Sequence, residues 1–136
     1  MTPSVIFESN NGRIVIMDSI ARMSDENEGD IIVCGSHGGR SAAEHAVKFK
    51  PKGVILNDAG RGKENAGMAG LEILDNDGIM AATVDAMSAK IGEGLDSYNS
   101  GIISAVNERA RQGGVKIGIS AREAALKMLT ETKKGQ

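Results

Sequence analysis

The stretch Ile31-Ile32-Val33-Cys34-Gly35-Ser36-His37-Gly38-Gly39-Arg40-Ser41 decides the fold of this 136-residue chain. Its four leading apolar residues predict a buried strand, and the glycine-rich turn after them leads into a sequence typical of a helix start. A strand, a turn and a helix in that order open a βαβ unit, in which successive strands run parallel. The carboxyl end of such a strand is where open α/β sheets build their binding sites.

The same alternation of strands and helices continues over residues 30–130. It predicts further strands at 53–57 and 79–84, so that three neighbouring parallel strands end at one edge of the sheet. Helices are expected to begin at Ser41 and Ser120, each in a Ser-x-x-Glu capping box. Helices are also expected at about 64–75 and 98–111, a glycine-containing loop at 86–97, and a short strand or linker at 115–117.

The N-terminal region follows a different pattern, because two short apolar runs flank the turn dipeptide Asn11-Gly12. Asn-Gly favours tight hairpin turns, so residues 5–17 predict a β-hairpin. We therefore expect one α/β domain over residues 1–136. Its fold class would be a Rossmann-like three-layer sandwich with a mainly parallel sheet and the hairpin at one edge.

Composition narrows the classes of partner. A formal net charge of −2 argues against nucleic acid and anionic membrane surfaces. No apolar run approaches the ~18 residues of a membrane span, and no signal-peptide pattern opens the chain. A single cysteine excludes an internal disulfide and favours a cytoplasmic location. Two histidines and one cysteine make a metal site improbable, and without a standard nucleotide motif we expect no cofactor.

The scarcity of aromatic residues points to assembly. Aromatics form only 2% of the chain, which holds one Tyr, two Phe and no Trp. Since aromatic side chains usually supply much of the buried area, we expect the core to be supplemented by burial between subunits. The expected state is a homo-oligomer.

The first strand-end loop is a candidate site for an anion. Its glycines allow backbone N–H groups to approach a ligand, next to the N-terminus of a helix. We expect Arg40 to clamp the anion and His37 to act as the general acid or base. The other expected ligand-binding residues of this loop are Gly35, Ser36, Gly38 and Gly39. The alternative is that the glycines only permit a tight turn.

The other two strand ends add polar groups. After the second strand, Asp58 is expected to orient His37, and Asn57, Arg61 and Lys63 to bind the ligand. The alternative there is an Asx turn with solvated basic residues. After the third strand, Asp85 and Ser88 are expected at the ligand, with residues 86–99 as a loop that closes over it.

Two further residues are expected to play no part in the site. His45 lies between the apolar positions of its helix, which indicates a surface or helix-face histidine. Cys34 ends a buried strand, where a free cysteine is usually a small core residue.

The order of a strand, Ser36-His37-Gly38, a helix, and a strand ending in Asp58-Ala59 resembles the caspase-like peptidases over about residues 30–85. The resemblance implies a catalytic His-Gly at His37-Gly38 and a nucleophile after Asp58-Ala59. Gly60 stands where the family's cysteine would be, so the resemblance does not imply peptidase activity. Residues 35–38 also resemble part of the nucleotide loop of universal stress proteins, although their position and glycine spacing differ.

Two functions follow from these expectations. The first is a small cytosolic enzyme of the hydrolase, lyase or isomerase type that acts on a small anionic metabolite through His37 and Asp58. The second is a non-catalytic module, on a caspase-like or stress-protein-like scaffold, that binds a ligand or a partner chain. An enzyme requires His37 within hydrogen-bonding reach of a second polar group around an open cavity.

Overall fold

The structure is a computed structural model that describes residues 3–60 and 67–131. Strands and helices alternate over most of these ranges. In chain order the elements are β1 (Ser4–Ser9), β2 (Gly12–Met17), 3₁₀ helices at Ile20–Arg22 and Asp25–Asn27, β3 (Ile31–His37), α1 (Arg40–Val47), β4 (Gly53–Asn57), α2 (Gly70–Asn76), β5 (Met80–Val84), α3 (Gly94–Ser100), β6 (Ile103–Val106), α4 (Glu108–Gln112) and α5 (Ala121–Thr130).

The strands form one mixed, mostly parallel sheet whose spatial order equals the chain order. β1 pairs antiparallel with β2, the four strands from β2 to β5 run parallel, and β6 pairs antiparallel with β5. The predicted α/β class, the N-terminal hairpin at the sheet edge and the parallel strands at 30–34, 53–57 and 79–84 are therefore confirmed. No helix in the described ranges has the length and apolar character that a membrane crossing requires.

Apolar side chains lie on both faces of the sheet, because alternate residues of a strand point to opposite faces. On one face, Cys34, Val54 and Leu56 pack with residues of α1 and α2 in what we call the α1-side cluster. On the other face, Val33 and Ile55 pack with residues of α5 in the α5-side cluster. α1 and α2 share a face because both cross over in the same direction along the sheet, and such crossovers are right-handed.

The predicted helix at 98–111 is wrong. The structure instead has α3, the strand β6 and the short helix α4, and α3 begins inside the predicted loop at 86–97. Ile103 and Val106 are three residues apart, which suits a helix face, but they pair with Val84 and Ala82 of β5. Pairing with the edge of β5 therefore overrides the local pattern. Residues 115–117 form no strand, which leaves the linker of the two expectations.

The starts of the helices differ in how well they were predicted. Ser120 caps α5 as expected, since its hydroxyl accepts a hydrogen bond from the Glu123 N–H at 3.0 Å. Ser41 is not a cap, because α1 begins at Arg40 with Gly39 in the N-cap position and no side-chain capping bond. α2 begins at Gly70, later than the predicted 64, and residues 64–66 lie outside the described ranges. A Cβ at Gly70 would overlap the Gly39 carbonyl oxygen at 2.5 Å, so this small residue serves contact with α1.

Candidate functional site

A distortion of β3 shapes the carboxyl edge of the sheet. The pairing with β4 passes from Val33 opposite Ile55 to His37 opposite Asn57, so β3 contains two extra residues there. Within the bulge, the Gly35 N–H donates to the Asp18 carbonyl at 3.1 Å, and the Gly35 carbonyl accepts from the Gly92 N–H at 2.7 Å. The bulge therefore joins the end of β2 to the loop before α3.

A groove of about 540 Å³ lies at this bulge, between the end of β2, the end of β3, the first turns of α1 and the loop at 91–92. Its walls combine polar and apolar side chains. The polar ones are Asp18, Ser36, His37, Ser41 and His45, and the apolar ones include Ile20, Ala42 and Ile91. No Lys or Arg of the described ranges lines the groove. The groove is open rather than enclosed, and it combines apolar walls with a few polar groups.

His37 is placed at the mouth of the groove by the end of β3. Its side chain is exposed, and its ring lies over Gly39, where any Cβ would overlap the imidazole. A side chain at position 39 would therefore displace the exposed His37 ring. The imidazole makes no hydrogen bond to a side chain or backbone group within residues 3–60 and 67–131.

The other residues of the glycine-rich loop are held by the protein itself. Ser36 lines the groove, but its hydroxyl oxygen accepts from the Ile20 N–H at 2.9 Å. A Cβ at Gly35 would overlap the Glu93 nitrogen, and one at Gly38 would lie 2.5 Å from the Gly67 carbonyl oxygen. The Gly38 N–H also donates to the Asn57 carbonyl at 2.8 Å. These glycines thus permit close backbone packing, which agrees better with the tight-turn alternative than with glycines that bind a ligand.

Asn57 and Asp58 form two successive Asx turns. The Asn57 Oδ1 accepts from the Ala59 N–H at 2.7 Å, and its amide donates to the Ala89 carbonyl at 3.1 Å. The Asp58 Oδ1 accepts from the N–H groups of Gly60 at 2.8 Å and Ala86 at 3.0 Å. Both side chains are buried and neither lines the groove. Asp58 therefore joins the ends of β4 and β5, and no hydrogen bond connects its side chain to the His37 imidazole.

The remaining predicted residues lie away from the groove or outside the described ranges. Arg40 is exposed and does not line the groove, while Arg61 and Lys63 fall in residues 61–66, which the structure does not describe. Asp85 accepts from the Met87 N–H at 2.8 Å, and the Ser88 hydroxyl oxygen accepts from the Ile102 N–H at 2.9 Å. Asp85 and Ser88 thus stabilise the turn after β5 against the residue before β6.

His45, like Asp18, is a groove residue that the sequence did not indicate. It lies one helical turn beyond Ser41 on α1, and its ring packs edge-on against Phe49 with centroids 5.3 Å apart. Its Nε2 is buried and has no hydrogen-bond partner. The only available signal was the four-residue spacing of His37, Ser41 and His45, which has meaning only once α1 is known to begin at Arg40.

Two other features do not add to this site. A larger cavity of about 890 Å³ lies at the opposite edge of the sheet, near the amino ends of β4 and β5, and its rim mixes exposed acidic and basic side chains. No group of three or more His, Cys, Asp or Glu suited to a metal ion occurs in residues 3–60 and 67–131. The groove at His37 is therefore the candidate site, because both histidines and several apolar side chains line it.

Comparison with known proteins assigns no family or function to the chain, so a functional hypothesis rests on the geometry of the groove. No protein-family model, no curated protein and no solved structure matches the chain.

Proposed function

We propose that the groove binds a small anionic metabolite and that the protein is an enzyme of the hydrolase, lyase or isomerase type. The observation that carries the proposal is that His37, Ser41 and the start of α1 converge on one groove. Because α1 has no side-chain cap, the N–H groups of its first turn are available to an anion, which the helix dipole also favours. The Ser41 hydroxyl adds a donor beside them.

His37 is the acid or base of this proposal. Its imidazole is exposed at the mouth of the groove, and histidine exchanges protons near neutral pH. Asp58 contributes through the turns that it holds, while Arg40, Arg61 and Lys63 remain proposed as a basic surround that attracts the anion. The caspase-like resemblance stays a hypothesis about the scaffold and carries no step of this chemistry.

A specific observation favours the second candidate, a non-catalytic binding module. In the described ranges no carboxylate hydrogen-bonds the His37 imidazole, and the predicted partner, Asp58, accepts instead from the backbone N–H groups of Gly60 and Ala86. A histidine without an orienting partner is sufficient for binding, whereas general acid–base catalysis benefits from one. The two candidates share the groove and differ in whether the ligand is transformed.

The test begins with the ligand. Metabolites extracted from the purified protein are identified by mass spectrometry, and thermal stability is measured with acetate, inorganic phosphate and succinate. We expect at least one anion to raise the melting temperature of the wild type, and His37→Gln to remove that shift. Lys116→Gln, an exposed residue between α4 and α5, is the control and should retain it. If no anion stabilises the wild type, or if His37→Gln responds like Lys116→Gln, the groove is not the site.

Turnover separates the two candidates. The enzyme predicts that an extracted metabolite is converted by the wild type and bound but not converted by His37→Gln. The binding module predicts that the metabolite is recovered unchanged from the wild type.

The proposal also includes the assembly and the layering of the protein. We propose a cytoplasmic homo-oligomer with helices covering both faces of the sheet as a three-layer sandwich. The layering is supported by the presence of helix residues in both hydrophobic clusters. Light scattering that gives a multiple of 14.2 kDa would support the oligomer, and a mass of 14.2 kDa at tens of micromolar would contradict it.

A further inference from the structure

The strand β1 leaves one edge of the sheet open. Within residues 3–60 and 67–131, β1 pairs only with β2, so its outer side faces no other strand of these ranges. The edge at β6 differs, because residues 118–120 partly cover it. The Gly118 N–H donates to the Ile103 carbonyl at 2.8 Å, and the Ile103 N–H donates to the Ile119 carbonyl at 2.8 Å. The protein therefore protects one sheet edge and leaves the other available to a partner strand.

The open edge is also apolar. Val5, Ile6 and Phe7 are 47%, 36% and 42% exposed, and Phe7 is one of only three aromatic residues in the chain. The pairing with β2 shifts at Ile6, so Val5 lies opposite Val15 of the α1-side cluster and Phe7 lies opposite Ile14 of the α5-side cluster. Although bulges often protect an open edge, this one turns apolar side chains to both faces of the sheet. An exposed apolar strand of this kind is prone to pair with another strand.

Helix α5 extends the apolar surface on one face of the sheet. Leu129 packs beside Gly12 at the hairpin turn, whereas Lys127 lies next to Gly114 on the other flank of the helix. Leu126 precedes Leu129 by three residues, which places it on the flank that faces the hairpin, and it is 36% exposed. A partner at β1 therefore meets apolar groups from the strand and from the helix.

Charge and symmetry indicate that the partner strand is β1 of a second copy. Antiparallel pairing about a two-fold axis near Ile6 places the apolar residues 5–7 of the two copies opposite each other. It keeps the two Glu8 carboxylates about 10 Å or more apart, whereas parallel pairing would place them side by side. Pairing of β1 with the β6 edge of another copy would extend without closure, and the cover over β6 opposes it.

We propose that β1 is the self-association surface of the protein and that two copies form a two-fold dimer through antiparallel β1–β1 pairing. The two six-stranded sheets then form one continuous sheet. This inference rests on the proposed homo-oligomer and deepens it by naming the surface, the partner and the symmetry. Because the surface holds fewer residues than the roughly 20–30 per partner of a standard interface, the dimer should dissociate in the micromolar range.

Sedimentation analysis from sub-micromolar to a few hundred micromolar protein tests the inference. We expect the wild type to pass from 14.2 kDa to twice that mass. Ile6→Lys brings two like charges together at the two-fold axis and should weaken the dimer at least about tenfold, and Ile6→Glu should do the same. An equimolar mixture of these two variants should restore a heterodimer, because the charges then attract each other.

Ile117→Lys is the matched control. Ile117 lies between α4 and α5 and is 66% exposed, so the substitution adds the same charge to another exposed apolar position. It should leave the affinity of the dimer unchanged. Circular dichroism checks that all three variants are folded.

Amide hydrogen exchange adds a measurement that needs no variant. The outward-facing N–H groups of β1 should exchange slowly where the wild type is dimeric and faster on dilution. The N–H groups of β4, which is paired on both sides, should show no such dependence on concentration.

The outcomes separate this inference from the proposals on which it rests. If Ile6→Lys leaves an oligomer intact, or if the mixed variants stay monomeric, the β1 surface is refuted while the homo-oligomer stands. A wild type that is monomeric throughout refutes both, and slow exchange of β1 in that monomer would show that another segment of the same chain covers the edge. The groove at His37 keeps its own test in every case.

Discussion

At the scale of single residues, burial decides which polar groups are chemically available. The Cys34 side chain is fully buried in the α1-side cluster, and desolvation raises the pKa of its thiol to about 12 from the ordinary value of 9.0. Since the thiolate is the reactive form, we expect alkylation by iodoacetamide at pH 8 to be at least about a thousandfold slower in the folded than in the unfolded chain. Equal rates in the presence and absence of denaturant would contradict this.

The same pKa shift predicts a dependence of stability on pH. The folded state keeps the Cys34 thiol neutral. The contribution of this thiol to the free energy of unfolding is therefore complete below about pH 9, and it declines once the thiol of the unfolded chain begins to ionise. As pH rises from about 9 towards 12, unfolding releases this proton, and stability falls by up to about 1.4 kcal/mol per pH unit. Cys34→Ala lacks this term, so its denaturation free energy should decline less steeply over that range than that of the wild type.

Two serines should show opposite effects when their hydroxyls are removed. Ser97 on α3 is fully buried and its Oγ has no partner, whereas the Ser36 Oγ accepts from the Ile20 N–H. We expect Ser97→Ala to stabilise the protein by about 1 kcal/mol, because it removes an unpaired polar group. Ser36→Ala should destabilise the protein by about 1–2 kcal/mol, because the Ile20 N–H loses its hydrogen-bond acceptor. Urea denaturation measures both, and a loss of stability in Ser97→Ala would show that its hydroxyl is satisfied in solution.

At the scale of elements, backbone contacts hold the loop before α3 against the bulge of β3. Gly35 lies where a Cβ would overlap the Glu93 nitrogen, so we expect Gly35→Ala to cost about 3 kcal/mol or more and to change the groove. Gly118→Ala is the control, because that glycine has a φ of +97° but open space around it and should cost only about 1–2 kcal/mol. Chemical denaturation provides the comparison, and similar losses in both variants would mean that the loop is not packed on β3 at Gly35.

The elements also show what local sequence can predict. β3, β4 and β5 contain continuous apolar runs, which suits strands buried on both faces, and each begins within one residue of its predicted start. β3 runs to His37, three residues beyond its predicted end at 34, because its pairing with β4 resumes after the bulge. β6 was missed because Ile103 and Val106 owe their conformation to pairing with β5, which lies about twenty residues earlier in the chain. The hydrophobic pattern of residues 103–106 alone contains no information about pairing with a strand that lies so far away in the chain.

At the scale of the whole molecule, the candidate groove lies at the end of the sheet where the sequence predicts that the strand ends converge, but its lining residues differ in part from the predicted set. Parallel topology brings strand ends together, which is why Ser36 and His37 were expected there. It does not reveal that Asp58 turns towards the backbone of Ala86, nor that Asp18 and His45 line the groove. Asn107 makes a similar point, since its buried side chain bonds the backbone of Leu71, Ile79, Ala81 and Ala110, and three of these lie more than twenty residues away.

The sheet should make the two hydrophobic clusters unfold together. Ile55 and Leu56 are adjacent and fully buried in β4, but Ile55 belongs to the α5-side cluster and Leu56 to the α1-side cluster. β4 is bonded to strands on both sides, so loss of packing on either face weakens the same ladder. We expect Ile55→Ala and Leu56→Ala each to cost about 2–5 kcal/mol.

Two intrinsic probes report on the two faces. Tyr98, the chain's single tyrosine, packs against the α5-side cluster, and the Cys34 thiol lies within the α1-side cluster. If the domain is one cooperative unit, tyrosine fluorescence and thiol accessibility will give the same denaturation midpoint in the wild type, and the two midpoints will move together in both variants. A shift of only the tyrosine signal in Ile55→Ala, or of only the thiol signal in Leu56→Ala, would show that the two faces of the sheet unfold independently.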